Sequence, residues 1–290
     1  RLDRIPVLLK RFRQSVLAAA CSGRLTEEWR ATNPQCSNVQ ATPRRGSDSL
    51  PDIPSAWQWK RLPECGEMNR GKSRHRPRDT AFLYGGPYPF IQTGDVTQSG
   101  GRITQHRQTY SEAGLAQSKL WPAQTICITI AANIAESAIL TYPACFPDSI
   151  VGILADERLC NTEYLEFFIR TAKADLSTFA PATAQKNINI KILSDVMVPL
   201  PPPPEQTEIV RQVEALFKLA DRIEERYRMA RDQVDKLTQA ILAKAFRGEL
   251  VPQDPKDEPA SVLLKRIRKE GASVPKNMLL QSKTKRTGRI

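Results

Sequence analysis

Apolar residues fall at Ile209, Val213, Leu216, Ala220, Ile223, Tyr227, Ala230, Val234, Leu237 and Ile241, in steps that alternate four and three without a slip. That spacing lines one stripe of a helix and predicts a coiled-coil seam. Arg222, Glu224, Glu225, Arg226, Arg228, Arg231 and Asp232 lie off the stripe and keep the other faces wet. Leu200-Pro201-Pro202-Pro203-Pro204-Glu205 suits a helix start, with proline at a first helical position and an acid in the first turn. Lys244, Arg247 and then Gly248 suit its end. At 1.5 Å per residue the helix would run roughly 60–65 Å.

The same pattern occurs twice. Gln14 to Leu25 (QSVLAAACSGRL) matches Gln239 to Leu250 (QAILAKAFRGEL) at an offset of 225. The offset sets Leu2, Ile5, Leu9, Phe12 and Val16 opposite Tyr227, Ala230, Val234, Leu237 and Ile241. The chain therefore opens on the end of one helix and later repeats it in a second, with Pro6 starting or kinking the first. Two helices with apolar seams need partners, and packing on each other is the economical solution. The opening falls inside an apolar pattern, which predicts a piece of something longer.

Between the helices the period changes. Residues 31–56 are rich in Pro, Ser, Asn and Thr and read as a linker. Trp57 to Leu62 alternates like a strand, Tyr88 to Ile91 is a short apolar run, and Thr125 to Ile130 reads as a strand. Tyr164 to Ala172 reads as a helix with Leu165, Phe168 and Ile169 on one face, and Ile188 to Val198 as a closing strand. The expected architecture is an α/β (α+β) domain over 57–198, plus long helices forming an antiparallel coiled coil. The first helix ends within 1–30 and the second spans 199–250. In 251–290 a short helix from Ser261 to Glu270 precedes a disordered end, because nine Lys or Arg follow Pro259 against one acid, Glu270.

Charge adds a partner class. The 43 Lys and Arg against 31 Asp and Glu give a net charge of +12, which favours an anionic partner, nucleic acid first. Cysteines at 21, 36, 65, 127, 145 and 160 are scattered, and the histidines are His75 and His106, so no zinc cluster is readable. Unclustered cysteines point to a reducing cytoplasm. No apolar run approaches the ~18 residues of a membrane span, and no signal peptide is readable.

Gly66-Glu67-Met68-Asn69-Arg70-Gly71-Lys72-Ser73 matches the phosphate-loop pattern, and Ile153 to Glu157 resembles an acidic strand that could hold magnesium. The context disagrees. Lys60 to Glu64 is too polar for the buried strand that should precede such a loop, and Arg74 to Arg78 contains a proline where a helix should open. Arg70, Lys72, Arg74, His75, Arg76 and Arg78 instead form a basic loop of a kind that contacts phosphates and presents arginine to guanine. Gln92, Thr93, Gln105, Arg107, Gln117, Lys119 and Asn133 sit in expected loops and have the donors and acceptors to read base edges. Taken singly, each is better explained by turn chemistry, and Gln185-Lys186-Asn187 can be read as shaping the turn before the closing strand. No catalytic constellation is visible. There is no Gly-x-Ser-x-Gly elbow, and Asn33-Pro34-Gln35-Cys36 lacks the second proline and the aromatic of an adenine-methyltransferase box. Pro51-Asp52 with Gln58-Trp59-Lys60 is spaced too closely for a nuclease metal site.

Leu200 to Gln206 followed by Ile209-Val210 and Val213-Glu214 resembles the start of the conserved helix in specificity subunits of type I restriction–modification enzymes, and Ala243 to Pro252 resembles its end. Phe90 to Val96 and Gln185 to Ile188 resemble landmarks of that family's target-recognition domains, and Arg1 to Thr26 its central conserved region. The resemblance implies two recognition domains on an antiparallel helix pair, each reading half of a split site on double-stranded DNA. The helices dock modification subunits, with restriction subunits in the full complex. It implies no catalysis and no cofactor on this chain, with S-adenosylmethionine, ATP and magnesium used by other subunits. Only one recognition domain is present here, evidently the second, so the chain is either a C-terminal piece or a half that pairs with another copy. Two other readings stay open: a coiled-coil scaffold with a protein-binding domain, and a nucleotide hydrolase built on the glycine loop.

Overall fold

Pro6 stands in the first turn of helix α1 (Ile5–Cys21), where its missing N–H costs no hydrogen bond. The computed structural model describes residues 2–34, 50–75, 77, 80–131, 135–178, 189–252, 254, 256 and 258–273. After α1 come α2 (Glu27–Thr32), β1 (Gln58–Arg61), β2 (Gly66–Arg70), β3 (Tyr84–Phe90), α3 (Thr93–Gln98), β4 (Arg102–Ile103) and β5 (Gln108–Tyr110). Then follow α4 (Glu112–Ala116), β6 (Ile126–Thr129), β7 (Ser137–Leu140), β8 (Ile150–Ala155), α5 (Thr162–Thr178), α6 (Ile190–Ser194), β9 (Met197–Leu200), α7 (Pro203–Phe246) and α8 (Ala260–Ser273). The chain divides into two units, Arg1–Tyr227 and Arg228–Ile290.

The first unit is built on a five-stranded sheet of order β2-β8-β6-β7-β4, antiparallel except where β4 runs parallel to β7. Its central strands β6 and β7 are buried at every position because both faces are covered. Ile126, Ile128, Ile139, Val151 and Ile153 point into one core with Tyr164, Leu165 and Phe168 of α5. The alternate residues Cys127, Ala138, Leu140 and Ile150 point into a second core with Ile91, Val96, Ile103, Trp121 and Phe146. Period-2 alternation thus sorts one continuous hydrophobic run into two interiors. Burial pushes the Cys127 thiol up in pKa, leaving it inert. Strands β3 and β5 form a separate ribbon, and β1 pairs with β9.

The first core also takes in Val16, Leu17 and Ala20 of α1 and Ile209 and Val213 of α7, with Leu216 and Phe217 packed against it. Arg13 pairs with Asp221 at 2.7 Å and Glu224 at 2.9 Å, while Thr26 just after α1 meets Glu205 at 2.6 Å. Those two contacts fix α1 and the first part of α7 as antiparallel. The seam is only half filled. Ile209, Val213 and Ala220 are buried, but Ile223, Val234, Leu237 and Ile241 are exposed. Helix α7 carries the whole expected stripe on one unbroken helix, and α1 packs on its first half.

Two further expectations change. Ile188 to Val198 is expected as one strand, but Asn189 caps α6 by accepting the Ile192 N–H at 2.9 Å, and the strand that follows is Met197–Leu200. A side-chain cap beats the β-branched run because it satisfies a helix-start donor. The expected linker begins later than residue 31, since α2 reaches Thr32. Gln185 to Asn187, most of the linker and the end of the basic tail lie outside the described residues; within the tail, α8 spans the expected short helix.

Glu205 is 1% exposed, and its carboxylate accepts from Thr26 Oγ1, Arg30 Nη1 and, at 2.9 Å, Trp57 Nε1. Removing it takes the acceptor from the Thr26 hydroxyl and the Trp57 indole and the counter-charge from Arg30, whose guanidinium keeps its bonds to Thr26 and Gly23. Glu205→Ala is expected to lower stability by about 3–5 kcal/mol, and Glu205→Gln by less. Urea denaturation with a folding-sensitive probe checks this, and an unchanged midpoint for Glu205→Ala would refute it.

Candidate nucleic-acid interface

Strand β2 leaves the edge of the sheet at Arg70, and the chain then crosses the β7–β8 connection. Gly71 donates its N–H to Ile150 O at 2.9 Å, and Lys72 to Phe146 O at 3.1 Å. A Cβ on Gly71 would lie 2.4 Å from the carbonyl oxygens of both Phe146 and Pro147. The glycine is needed for this backbone crossing. The phosphate-loop reading fails on the same geometry. Gly66 to Arg70 is a strand, paired antiparallel with β8 from Gly66↔Ala155 to Arg70↔Val151, and no helix follows Ser73 among the described residues before residue 80. Arg70 accordingly belongs to a strand end and not to a loop.

The basic segment is stapled to the α4 region. Ser118 Oγ donates to Lys72 O at 2.7 Å, and the His75 N–H donates to Gln117 Oε1 at 2.9 Å. The Ser73 hydroxyl lies 3.3 Å from the Tyr110 hydroxyl in a buried contact. Lys72 and Arg74 are left exposed beside these anchors, and Arg70 reaches the Asp148 carbonyl at 3.1 Å. Lys119 lies 3.9 Å from the centre of the Trp121 ring and 3.2 Å from Glu67, whose carboxyl it holds below the usual range by hydrogen bonding and charge. Lys72 and His75 are thereby tied to Ser118 and Gln117, next in the chain to Lys119, whereas Arg70 alternates along β2 with Glu67, the partner of Lys119. Arg76 and Arg78 lie outside the described residues, as does Asn133.

Gln92, Thr93, Gln105 and Arg107 form a second group at the far end of the β3–β5 ribbon. Gln92 precedes α3, its N–H donating to Asp95 at 2.9 Å, and its side-chain amide donates to Gln108. Thr93 is the first residue of α3 and half-buried. Arg107 pairs with Asp95 at 3.6 Å and donates to Gln98. His106 meets the Tyr142 hydroxyl at 3.1 Å. Asp95, Gln98, Gln105, His106 and Arg107 line one open hollow of about 350 Å³.

Sequence reasoning missed Gln98, Gln108, Tyr142 and Phe82. The first three are ordinary polar or aromatic residues whose grouping depends on the ribbon. Phe82, in an apolar run, carries the pattern of a core residue yet is 57% exposed. Such a surface of donors, acceptors and cations can bind a polyanion and hydrogen-bond base edges. Among the described residues no cluster of His, Cys, Asp and Glu could hold a metal ion, and no helix is long and apolar enough to cross a membrane.

Gly71→Ala is expected to destabilise the first unit by about 1–3 kcal/mol through overpacking against two carbonyls, while Lys72→Ala shifts stability by no more than about 0.5 kcal/mol. Thermal melts of the two variants check the contrast. A nucleotide-binding loop would instead make Lys72→Ala abolish ATP binding, so ATP binding by the parent chain would sink this assignment.

A family model described as the type I restriction modification DNA specificity domain matches residues 54–228. The chain is 33% identical to the type I restriction enzyme EcoDI specificity subunit of Escherichia coli, over 94% of this chain and 63% of that one. It is 30% identical to the EcoKI specificity subunit of Escherichia coli (strain K12), over 94% of this chain and 58% of the relative. The chain thus spans about three fifths of the length of the curated relatives it matches. The HsdS subunit from Thermoanaerobacter tengcongensis shares its fold with a TM-score of 0.53 at 22% identity, over 86% of this chain and 57% of that one. A chain from a structure concerned with complex assembly and conformational transition of the type I R-M system gives a TM-score of 0.58 at 22% identity, over 86% of this chain and 58% of that one.

Proposed function

Since the chain belongs to the DNA specificity family of type I restriction–modification systems, we propose that it reads one half of a bipartite sequence in double-stranded DNA. It performs no chemistry and binds no cofactor itself; S-adenosylmethionine, ATP and magnesium act on other subunits. The modification subunits dock on its helices, restriction subunits join in the full assembly, and the complex works in the cytoplasm. The observation that carries the reading is the exposed pair Lys72 and Arg74, on a segment fixed by backbone anchors at Lys72 and His75 on a two-core domain. Phosphate contacts supply affinity from these cations, and the glutamines supply selectivity.

The open half of the α7 stripe supports a second part of the reading. Val234, Leu237 and Ile241 are exposed on a helix whose earlier seam is filled by α1. The offset-225 repeat makes this stretch the counterpart of α1, so it pairs with a helix of a second recognition half, on the same polypeptide or on another copy.

In the assembled complex, Lys72→Ala with Arg74→Ala is expected to weaken binding to all duplexes alike and to reduce the slope of log K against log salt by about one per lost phosphate contact. Fluorescence anisotropy across a salt series checks it. Undiminished affinity, with assembly intact, would instead favour the protein-binding scaffold. Leu237→Asp should shift the chain from assembled to lighter species in sedimentation without changing the melting of the first unit, whereas retained assembly would remove the pairing proposal.

A further inference from the structure

Phe82 is a large apolar side chain displayed beside His75 of the basic segment. Its neighbour Leu83 is 2% exposed and anchors the turn, yet Phe82 itself is 57% exposed. The turn is held on both sides. Ser111 donates its hydroxyl to Phe82 O at 2.7 Å and its N–H to Leu83 O at 2.9 Å, and Leu83 donates to Thr80 O at 3.1 Å. The ring meets His75 at 5.2 Å between centroids with the planes 77° apart. His75 is in turn tied to Gln117 through its N–H. Phe82 is thus a rigid projection braced by the same segment that exposes Lys72 and Arg74.

Exposing a phenylalanine forfeits the burial of about 1.5–3 kcal/mol that a side chain of its size can gain. A lone exposed apolar group needs no explanation; one pinned at its backbone and braced at its ring by a basic segment fits contact with an apolar group on a polyanion. On duplex DNA the apolar group open to the major groove is the thymine 5-methyl. A wedge between base pairs fits less well, because the ring cannot enter a stack without giving up its contact with His75.

Resting on the proposed DNA-reading function, we infer that Phe82, positioned by His75, is a specificity-determining residue that contacts a thymine 5-methyl group in the major groove. Lys72 and Arg74 hold the phosphates on either side, and the ring adds discrimination with little effect on non-selective binding.

The test uses the chain in its assembled complex and a randomised duplex library. The parent complex enriches a sequence containing at least one required thymine. Replacing that thymine by deoxyuridine, which deletes only the methyl, weakens parent binding about three- to tenfold. Phe82→Ala binds the thymine and deoxyuridine duplexes equally and keeps the parent affinity for unselected duplex and the parent melting temperature. Phe82→Leu, still apolar, retains part of the discrimination. The inference is overturned if Phe82→Ala enriches the same sequence with the same thymine preference. It is equally overturned if the parent is indifferent to deoxyuridine at every position while Phe82→Ala loses affinity, the result for a wedge. Loss of assembly with DNA selection unchanged would make Phe82 a protein contact and overturn it too. A parent complex that enriches no sequence at all fails the proposed function itself, a separate outcome.

Discussion

The buried carboxylate of Glu205 is the constraint on which the first unit depends. It sits in the first turn of α7 and accepts from Thr26 and Arg30 beyond the end of α1 and from Trp57 at the start of the globular domain. A carboxylate removed from water is tolerable only when its lone pairs are filled, so the three donors must converge. Convergence fixes how α1 meets α7 and where β1 begins. Gln206 extends the junction, donating to Leu159 O and Pro201 O and accepting from the Asn161 N–H at 2.6 Å. With these bonds made, the start of β1 and the turn before α5 are held to α1 and the first part of α7.

Much of this was legible in the sequence, and the reasons differ by element. The heptad of α7 and the helix at Tyr164 could be read because one face of each repeats at helical period. The strand at Ile126 could be read because a short β-branched run admits little else. The role of Glu205-Gln206 could not. In sequence they are an acid and an amide in a first helical turn, and only tertiary contact turns them into a junction. The α6 error has the same origin, since Asn189 decides it through one side-chain bond. At the site, the clustering of Lys72 and Arg74 was visible as a run of charge. The company kept by Gln92 and Gln108 was not, because sixteen positions of chain separate partners that touch across the ribbon.

Several cations of the proposed interface are already engaged. Lys119 lies on Trp121 and against Glu67, and Arg107 is held by Asp95 and Gln98. On the proposed reading, duplex DNA must compete with these partners before it gains the cations, whereas Lys72 and Arg74 stand exposed. Pairing of this kind lowers affinity for any duplex and leaves the encounter to the exposed pair. Selectivity benefits, because a weak uniform term lets a few base contacts decide the outcome.

The phosphate-loop motif shows why the spacing of residue types cannot stand in for geometry. Gly71 is demanded by two carbonyl oxygens 2.4 Å from where its Cβ would be, and Lys72 is exposed because that crossing turns the chain out of the sheet. A glycine required by packing and a lysine released by it give the same letters as a nucleotide cradle. What differs is the element on each side. A cradle needs a helix whose free N–H groups face the phosphate, and here the Gly71 and Lys72 N–H groups are spent on Ile150 and Phe146. With those two amides occupied, an anion at Lys72 would be met by side chains, which on the proposed reading suits a long polyanion approached from outside better than a small one held within.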